Sequence, residues 1–111
     1  MAAAARPSPA VADMLEHAEE ASRYLKLIAN RSRLMIVCAL VEGERAVGAL
    51  EAELRLEQPA LSQQIAALRR AGIITGRREA KAVFYRLADT RAVELVGVLH
   101  RLFCAGDRQA A

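Results

Sequence analysis

Two cysteines and two histidines are the side chains in this 111-residue chain that are best suited to redox or metal chemistry. Cys38 and Cys104 lie 66 positions apart, and the histidines are His17 and His100. A thiol pair in a reducing cytoplasm, the compartment expected here, is more often redox-active or metal-binding than structural. From the residue types alone, two buried cysteines acting as small apolar side chains are the simpler interpretation.

The spacing of apolar residues predicts five helices that position these thiols, with Cys38 on the second and Cys104 at the end of the last. Aromatic residues make up only 4 % of the chain, so its apolar mass is aliphatic and suits helices better than sheet. The first helix carries a narrow apolar seam, typical of packing against another helix. The seam consists of Met14, Ala18, Ala21, Leu25 and Ile28; the expected helices are Asp13 to Ile28, Leu34 to Val41, Val47 to Leu54, Pro59 to Gly72 and Asp89 to Gly106.

The chain is long enough for one domain only. We expect a disordered leader over 1–12, one domain over 13–105 and a polar tail over 106–111. The longest segment without a charge has eleven residues, over 58–68, whereas a membrane-spanning helix needs roughly 20. The sequence therefore predicts no membrane partner, and the start of the chain lacks the apolar run of a signal peptide.

Positive charge is concentrated in one third of the chain. Residues 1–57 hold seven Lys/Arg against nine Asp/Glu, a sum of −2, whereas residues 58–91 hold seven against two, a sum of +5. Such a concentration indicates a polyanionic partner, although a solvated basic surface is the alternative. The basic third contains the fourth helix and two β-rich runs, at 73–75 and 82–87, which predict a hairpin.

A helix, a turn, a second helix and an arginine-rich hairpin follow one another in the order of a winged helix-turn-helix. If Leu61, Ile65 and Leu68 are the buried face of the fourth helix, small and uncharged polar side chains point outward. Gln and Ser bond base edges, and recognition helices present their N-terminal residues to bases. We predict base contacts from Gln58, Ser62 and Gln63 and phosphate contacts from Arg69, Arg77, Arg78 and Lys81 on double-stranded DNA.

The sequence resembles the ArsR/SmtB family of small dimeric bacterial repressors over about residues 25–103. The resemblance is carried by Leu25-Lys26-Leu27-Ile28-Ala29-Asn30, Gln58-Pro59-Ala60-Leu61-Ser62-Gln63-Gln64, Leu68-Arg69-Arg70-Ala71-Gly72-Ile73-Ile74 and Val83-Phe84-Tyr85-Arg86-Leu87. It implies a mainly α winged helix-turn-helix that dimerises through its first and last helices and binds an inverted-repeat operator. The apolar seam on the first helix agrees with this arrangement, as does the apolar stripe of Val93, Val96, His100 and Phe103 on the last.

Many members of this family sense metals, but neither of its common metal sites is intact here. The Cys-x-Cys of the third-helix site is replaced by Val47-Gly48-Ala49-Leu50-Glu51. The last-helix site lacks two ligands. Asp89-Thr90-Arg91 has Arg where the Asp-x-His of that site has His, and the residue three positions after His100 is not acidic. We therefore expect no bound metal and no cofactor. A metal-responsive repressor with a site assembled from separate helices is the alternative.

The two cysteines are placed as in the sulfide-responsive branch of the family, which this chain resembles around Cys38 and from His100 to Cys104. The resemblance implies that Cys38 and Cys104 react with organic or inorganic persulfide and become bridged by a disulfide or a longer polysulfide. The bridged homodimer would release its operator and permit transcription of sulfide-detoxifying genes. A thiol enzyme is a further alternative, but the sequence has no Cys-x-x-Cys and no Gly-rich nucleotide loop, so we expect no catalytic activity.

Overall fold

The computed structural model describes residues 6–104, in which helices surround a central helix and a small antiparallel sheet lies at one side. These elements confirm the predicted mainly α winged helix-turn-helix. Among the described residues, no helix combines the length and hydropathy needed to cross a bilayer. In chain order the elements are α1 (Pro9–Ile28), α2 (Arg31–Val41), β1 (Arg45–Ala46), α3 (Val47–Leu54), α4 (Ala60–Arg70), β2 (Ile74–Glu79), β3 (Ala82–Leu87) and α5 (Thr90–Phe103).

Helix α2 forms the centre of the core because it is apolar on nearly every side. Its residues Ile36 and Val37 are fully buried, and it contacts α1, α3, α4, α5 and β3. The side chain of Asn30 accepts a hydrogen bond from the Arg33 backbone N–H at 3.0 Å, which makes Asn30 the N-cap of α2. Each of the other helices is thus positioned against the element that carries Cys38.

The ends of the first and last helices differ from the predicted ones. Helix α1 begins at Pro9 rather than after Asp13, because the Ser8 hydroxyl accepts a hydrogen bond from the Val11 N–H at 3.3 Å and proline suits the first turn. Residues 9–12, predicted as leader, are therefore helical. Helix α5 ends at Phe103 rather than at Gly106. The rest of the predicted leader at 1–5 and the predicted tail at 106–111 lie outside the described residues.

The sheet has the order β1-β3-β2, and β1 is a strand that the sequence pattern did not predict. In the register, Gly76 lies opposite Tyr85, and Arg77 lies opposite Phe84. Because Tyr85 is buried, the face that carries Gly76 and Tyr85 is the core face, and Arg77 and Phe84 lie on the other face. Position 76 favours glycine, since a Cβ there would lie 2.7 Å from the Tyr85 ring and would force a shift.

Exposed apolar side chains remain on α1 and α5, the two helices predicted to form a dimer. Within the α1 seam, Ile28 is buried but Met14 and Leu25 are more than half exposed. Of the four α5 residues predicted to share a face, only Val96 is buried; Phe103, beyond the end of the core, is 75 % exposed. The further exposed apolar residues of these two helices are Val11, Leu15, Val93, Val98 and Leu102. Such surfaces are typical of interfaces.

Candidate nucleic-acid interface and thiol pair

Helix α4 presents the surface that the sequence pattern predicted. Leu61, Ile65 and Leu68 are buried, which confirms the predicted core face. Ser62 and Gln63 on the opposite side are exposed, and no acidic side chain lies between Gln58 and Arg78. The Gly72 backbone, with φ of 77°, adopts the left-handed conformation that ends a helix readily only at glycine. An exposed, acid-free helix surface of this composition is suited to close approach to DNA.

Two of the three predicted base contacts are hydrogen-bonded within the chain. The Gln58 amide donates to the Glu51 carboxylate of α3 at 2.8 Å and accepts a hydrogen bond from the Ser62 hydroxyl. Gln63 makes no side-chain hydrogen bond to any described residue. The side chains of Gln58 and Ser62 therefore have protein partners, whereas no described side chain bonds the Gln63 amide. The sequence does not predict the hydrogen bond between Gln58 and Glu51, because it is the turn between α3 and α4 that brings the two residues together.

A second contact that the sequence did not reveal fixes the orientation of α4. The Arg33 guanidinium donates to the Leu27 carbonyl at 2.5 Å and to the Gln64 side-chain oxygen at 2.7 Å. Arg33 thereby joins the α1–α2 junction to α4. The two partners Arg33 and Gln64 are 31 positions apart, so neither identity nor spacing in the sequence predicts this contact.

The four predicted phosphate contacts are all exposed, but their surroundings differ. Arg69 lies 5.9 Å from the Tyr85 ring centroid, on the core face of the sheet. Arg77 lies over Phe84 and binds the Glu44 carboxylate through two nitrogens, at 2.7 and 2.9 Å. Arg78 and Lys81 make no ion pair with any residue in 6–104. Arg69, Arg78 and Lys81 are therefore available to a phosphate.

Glu44 changes the electrostatics of Arg77. Hydrogen bonding to Arg77 holds the pKa of Glu44 below its usual range, so the carboxylate stays charged and paired in mild acid. Glu79 also binds Arg77, at 2.5 Å, so two carboxylates neutralise this one guanidinium. Arg77 thus joins the wing to the loop after α2.

The thiol pair lies where α2 packs against α5. Cys38 and Cys104 are both half-buried free thiols. The Cys104 backbone N–H donates to the His100 carbonyl at 2.8 Å, which places this thiol at the end of α5. Burial raises the pKa of the Cys38 thiol, and the negative charge of a Cys104 thiolate raises it further. Cys38 thus lies on a helix that packs against α5, and Cys104 directly follows α5, although 66 positions separate the two residues.

A cluster that sequence reasoning missed connects α1 to the start of α5. Asp89 is the N-cap of α5 and binds the Arg91 guanidinium at 2.9 Å. Arg91 lies over the Tyr24 ring at 4.7 Å and reaches Glu20 at 3.6 Å. Hydrogen bonding to Arg91 holds the pKa of Asp89 below its usual range.

Within residues 6–104, no group of three or more His, Cys, Asp or Glu side chains is arranged to hold a metal ion.

Comparison with known proteins agrees with the fold. Residues 30–75 match the family model described as bacterial regulatory protein, arsR family. The biofilm growth-associated repressor of Agrobacterium fabrum is 50 % identical over 101 residues, which cover 91 % of this chain and 84 % of that protein. The transcriptional activator HlyU of Vibrio cholerae is 42 % identical over 96 residues, covering 86 % of this chain and 89 % of its own.

The crystal structure of the transcriptional repressor BigR from Xylella fastidiosa superposes with a TM-score of 0.81 at 47 % identity, covering 83 % of this chain and 94 % of that one. Relatives that are 46–50 % identical cover 88–95 % of this chain. The chain belongs to the arsR family of bacterial regulatory proteins.

Proposed function

We propose that this protein is a homodimeric transcriptional repressor that binds an inverted-repeat operator and releases it when persulfide bridges Cys38 and Cys104. Membership of the arsR family and the exposed face of α4 support the DNA-binding half. The packing of α2 on α5, with one half-buried free thiol on α2 and another directly after α5, supports the sensing half. Release would permit transcription of genes whose products consume sulfide.

On the DNA, α4 lies in the major groove and the wing follows the backbone. Gln58, Ser62 and Gln63 near the start of α4 contact base edges. Arg69, Arg78 and Lys81 contact phosphates, where charge matters more than side-chain geometry. Arg77 joins them only if its ion pair with Glu44 opens. Gln63 is the strongest candidate for a base contact because no described side chain occupies its amide.

A homodimer presents two such helices to successive major grooves, about 34 Å apart. The exposed apolar residues of α1 and α5 support these helices as the dimer interface, because a stable soluble monomer would expose few of them together. The two-fold symmetry of such a dimer matches an inverted repeat. The same two helices thus set the separation of the recognition helices.

The sensing chemistry is a two-electron oxidation of the dithiol. A cysteine thiolate attacks the outer sulfur of a persulfide RS–SH; a protein S–S bond forms, the S–S bond of the persulfide breaks, and RS⁻ leaves and takes up a proton. The second cysteine then attacks the resulting protein persulfide and displaces HS⁻. The sum is two thiols plus RSSH giving a disulfide, RSH and H₂S. Each further persulfide consumed inserts one sulfur and releases one more RSH.

The number of sulfurs in the bridge follows from the separation of the two thiols. A disulfide requires Cα atoms within about 7 Å, and each inserted sulfur extends the reach by roughly 2 Å. A slightly wide pair therefore closes poorly with peroxide but readily with sulfane sulfur.

A bridge joins the end of α5 to the central helix α2, and α2 contacts α4 and β3 as well. Fixing α2 against a dimerisation helix therefore alters either the separation or the mobility of the two α4 helices. A coupling of about 1–3 kcal/mol gives a 5- to 150-fold loss of operator affinity. Changes of this size are sufficient for a transcriptional response.

A gel-shift assay on the promoter upstream of the protein's own gene tests both halves. Reduced protein is expected to bind, and persulfide-treated protein to release; Cys38→Ser and Cys104→Ser are expected to bind under both conditions. If persulfide leaves the wild-type shift unchanged, the sensing half is wrong while DNA binding stands. If zinc rather than persulfide releases the DNA, the protein is instead a metal-responsive repressor, which was the alternative interpretation of the sequence. A reporter assay in the presence and absence of the protein distinguishes repression from activation.

A further inference from the structure

A groove beside Cys38 has no role in the bridging chemistry described above. It lies between α2, α3 and α5 and has a volume of about 570 Å³. Cys38 and His100 form part of its lining, and its apolar lining includes Met35, Val41, Leu54 and Val96. This volume exceeds what a hydrogen persulfide ion needs and admits a small organic group.

The charged side chains at this groove are predominantly acidic. Glu42 and Glu53 both belong to the lining. Arg45 binds Glu42 at 3.2 Å and reaches Glu53 at 3.8 Å, so one guanidinium is shared by two carboxylates. With His100 counted as neutral, the three charged groups sum to −1. The exposed fractions of the Glu42 and Glu53 side chains are 73 % and 49 %, so their charges face an incoming molecule.

We propose that this groove binds the organic group of a small persulfide and selects by charge, favouring amine-bearing persulfides over carboxylate-bearing ones. The proposal rests on the sensing function proposed above, since it names the class of molecule that delivers sulfur to the thiol pair. The apolar walls hold the carbon chain of the persulfide, while Glu42 and Glu53 attract an ammonium group and repel a carboxylate. At roughly 7 Å in water, one net charge changes the local concentration of a singly charged ligand about threefold. Cationic and anionic ligands of the same size therefore differ about sevenfold.

The direct test uses thiol reagents of matched size and opposite charge on the Cys104→Ser protein, in which Cys38 is the reacting thiol. The probes are the ethylammonium and ethylsulfonate methanethiosulfonates, and free cysteine supplies the reference ratio of their rates. We expect the ratio of cationic to anionic rate at Cys38 to exceed that reference about sevenfold. A ratio equal to that of free cysteine would overturn the proposal.

Two sets of variants test whether the preference for the cationic reagent comes from the carboxylates of the groove. Glu53→Gln, which brings the net charge to zero, is expected to reduce the ratio about sevenfold, to the reference value. Glu42→Gln combined with Glu53→Gln is expected to bring the ratio below the reference value, because Arg45 is then uncompensated. Glu57→Gln, the matched control outside the groove lining, is expected to keep the full ratio. Selectivity that survives the double substitution would refute the role of these carboxylates. Circular dichroism verifies that each variant is folded.

These reagents report on the groove whether or not a bridge releases DNA, so the result is separable from the gel shift. A second measurement addresses the persulfides themselves: the rate of operator release by the persulfide of cysteamine against that of 3-mercaptopropionate. We expect faster release with cysteamine persulfide and a smaller difference in Glu53→Gln. Equal rates with both persulfides, despite charge selection by the thiosulfonates, would show that the groove does not deliver the sulfur.

Discussion

Arg77 is predicted to orient the wing rather than to contact a phosphate. Its guanidinium makes two bonds to Glu44 and one to Glu79, and it lies on the sheet face opposite that of Tyr85. Binding a phosphate would require breaking the bonds to at least one carboxylate. The relevant perturbation is Arg77→Gln, compared with Arg78→Gln at the neighbouring position, where no described acid pairs with the guanidinium.

The salt dependence of operator binding gives the expected size of the difference between Arg77→Gln and Arg78→Gln. Each phosphate contact adds about 0.9 to the slope of log affinity against log salt concentration, so one lost contact makes the fall in affinity between 50 and 200 mM salt about 3.5-fold smaller. We expect this change in Arg78→Gln and almost none in Arg77→Gln. Fluorescence anisotropy of a labelled operator duplex over a potassium chloride series measures both slopes.

A charge exchange separates positioning from phosphate contact. Arg77→Gln is expected to weaken binding equally at every salt concentration, because the wing loses its connection to the loop after α2. Glu44→Arg combined with Arg77→Glu restores an ion pair and is expected to recover part of this affinity. A slope reduced by about 0.9 in Arg77→Gln, with no recovery in the exchanged protein, would refute this explanation and return Arg77 to the phosphate contacts.

Three further predictions concern stability and thiol reactivity. Asp89→Ala is expected to lower the free energy of unfolding by about 1 kcal/mol in urea denaturation, because α5 loses its N-cap. The stability of the wild type should also fall in acid, as the pH drops through the lowered pKa of Asp89. Asp89→Asn should lack this acid-dependent loss. Cys104→Ser is expected to lower the pKa of Cys38, seen as an alkylation pH profile shifted downward by mass spectrometry, and an unchanged profile would contradict the proximity of the thiols. Gly76→Ala is expected to destabilise the fold by about 1–3 kcal/mol, because its methyl group would meet the facing tyrosine ring at 2.7 Å; an unchanged melting temperature would be the contrary result.

Local patterns predicted the fold because the helical period and the residues that begin or end a helix depend on positions close together in the sequence. The spacing of Leu61, Ile65 and Leu68 predicted the buried face of α4, and α5 begins next to Asp89, where the sequence pattern placed its start. The start of α1 was missed because Asp13 has the chemistry of a cap but lies inside a helix already capped at Ser8.

The candidate sites depended on contacts between remote parts of the chain, which spacing does not show. The pairing of Glu44 with Arg77 and that of Arg33 with Gln64 each join residues more than thirty positions apart. Nor does spacing predict the proximity of Cys38 and Cys104; the family resemblance suggested it, and the packing of α2 on α5 agrees with it. Strand β1 was missed because two residues are too few to produce an alternating pattern.

The most direct measurement follows bridging and operator binding in one sample. Reduced protein is titrated with a small organic persulfide; intact-mass spectrometry gives the fraction of chains in which Cys38 and Cys104 are joined, and anisotropy gives the fraction of operator bound. We predict that operator binding falls in proportion to the bridged fraction, and that neither Cys38→Ser nor Cys104→Ser shows any loss. Complete bridging with undiminished operator binding would contradict the account.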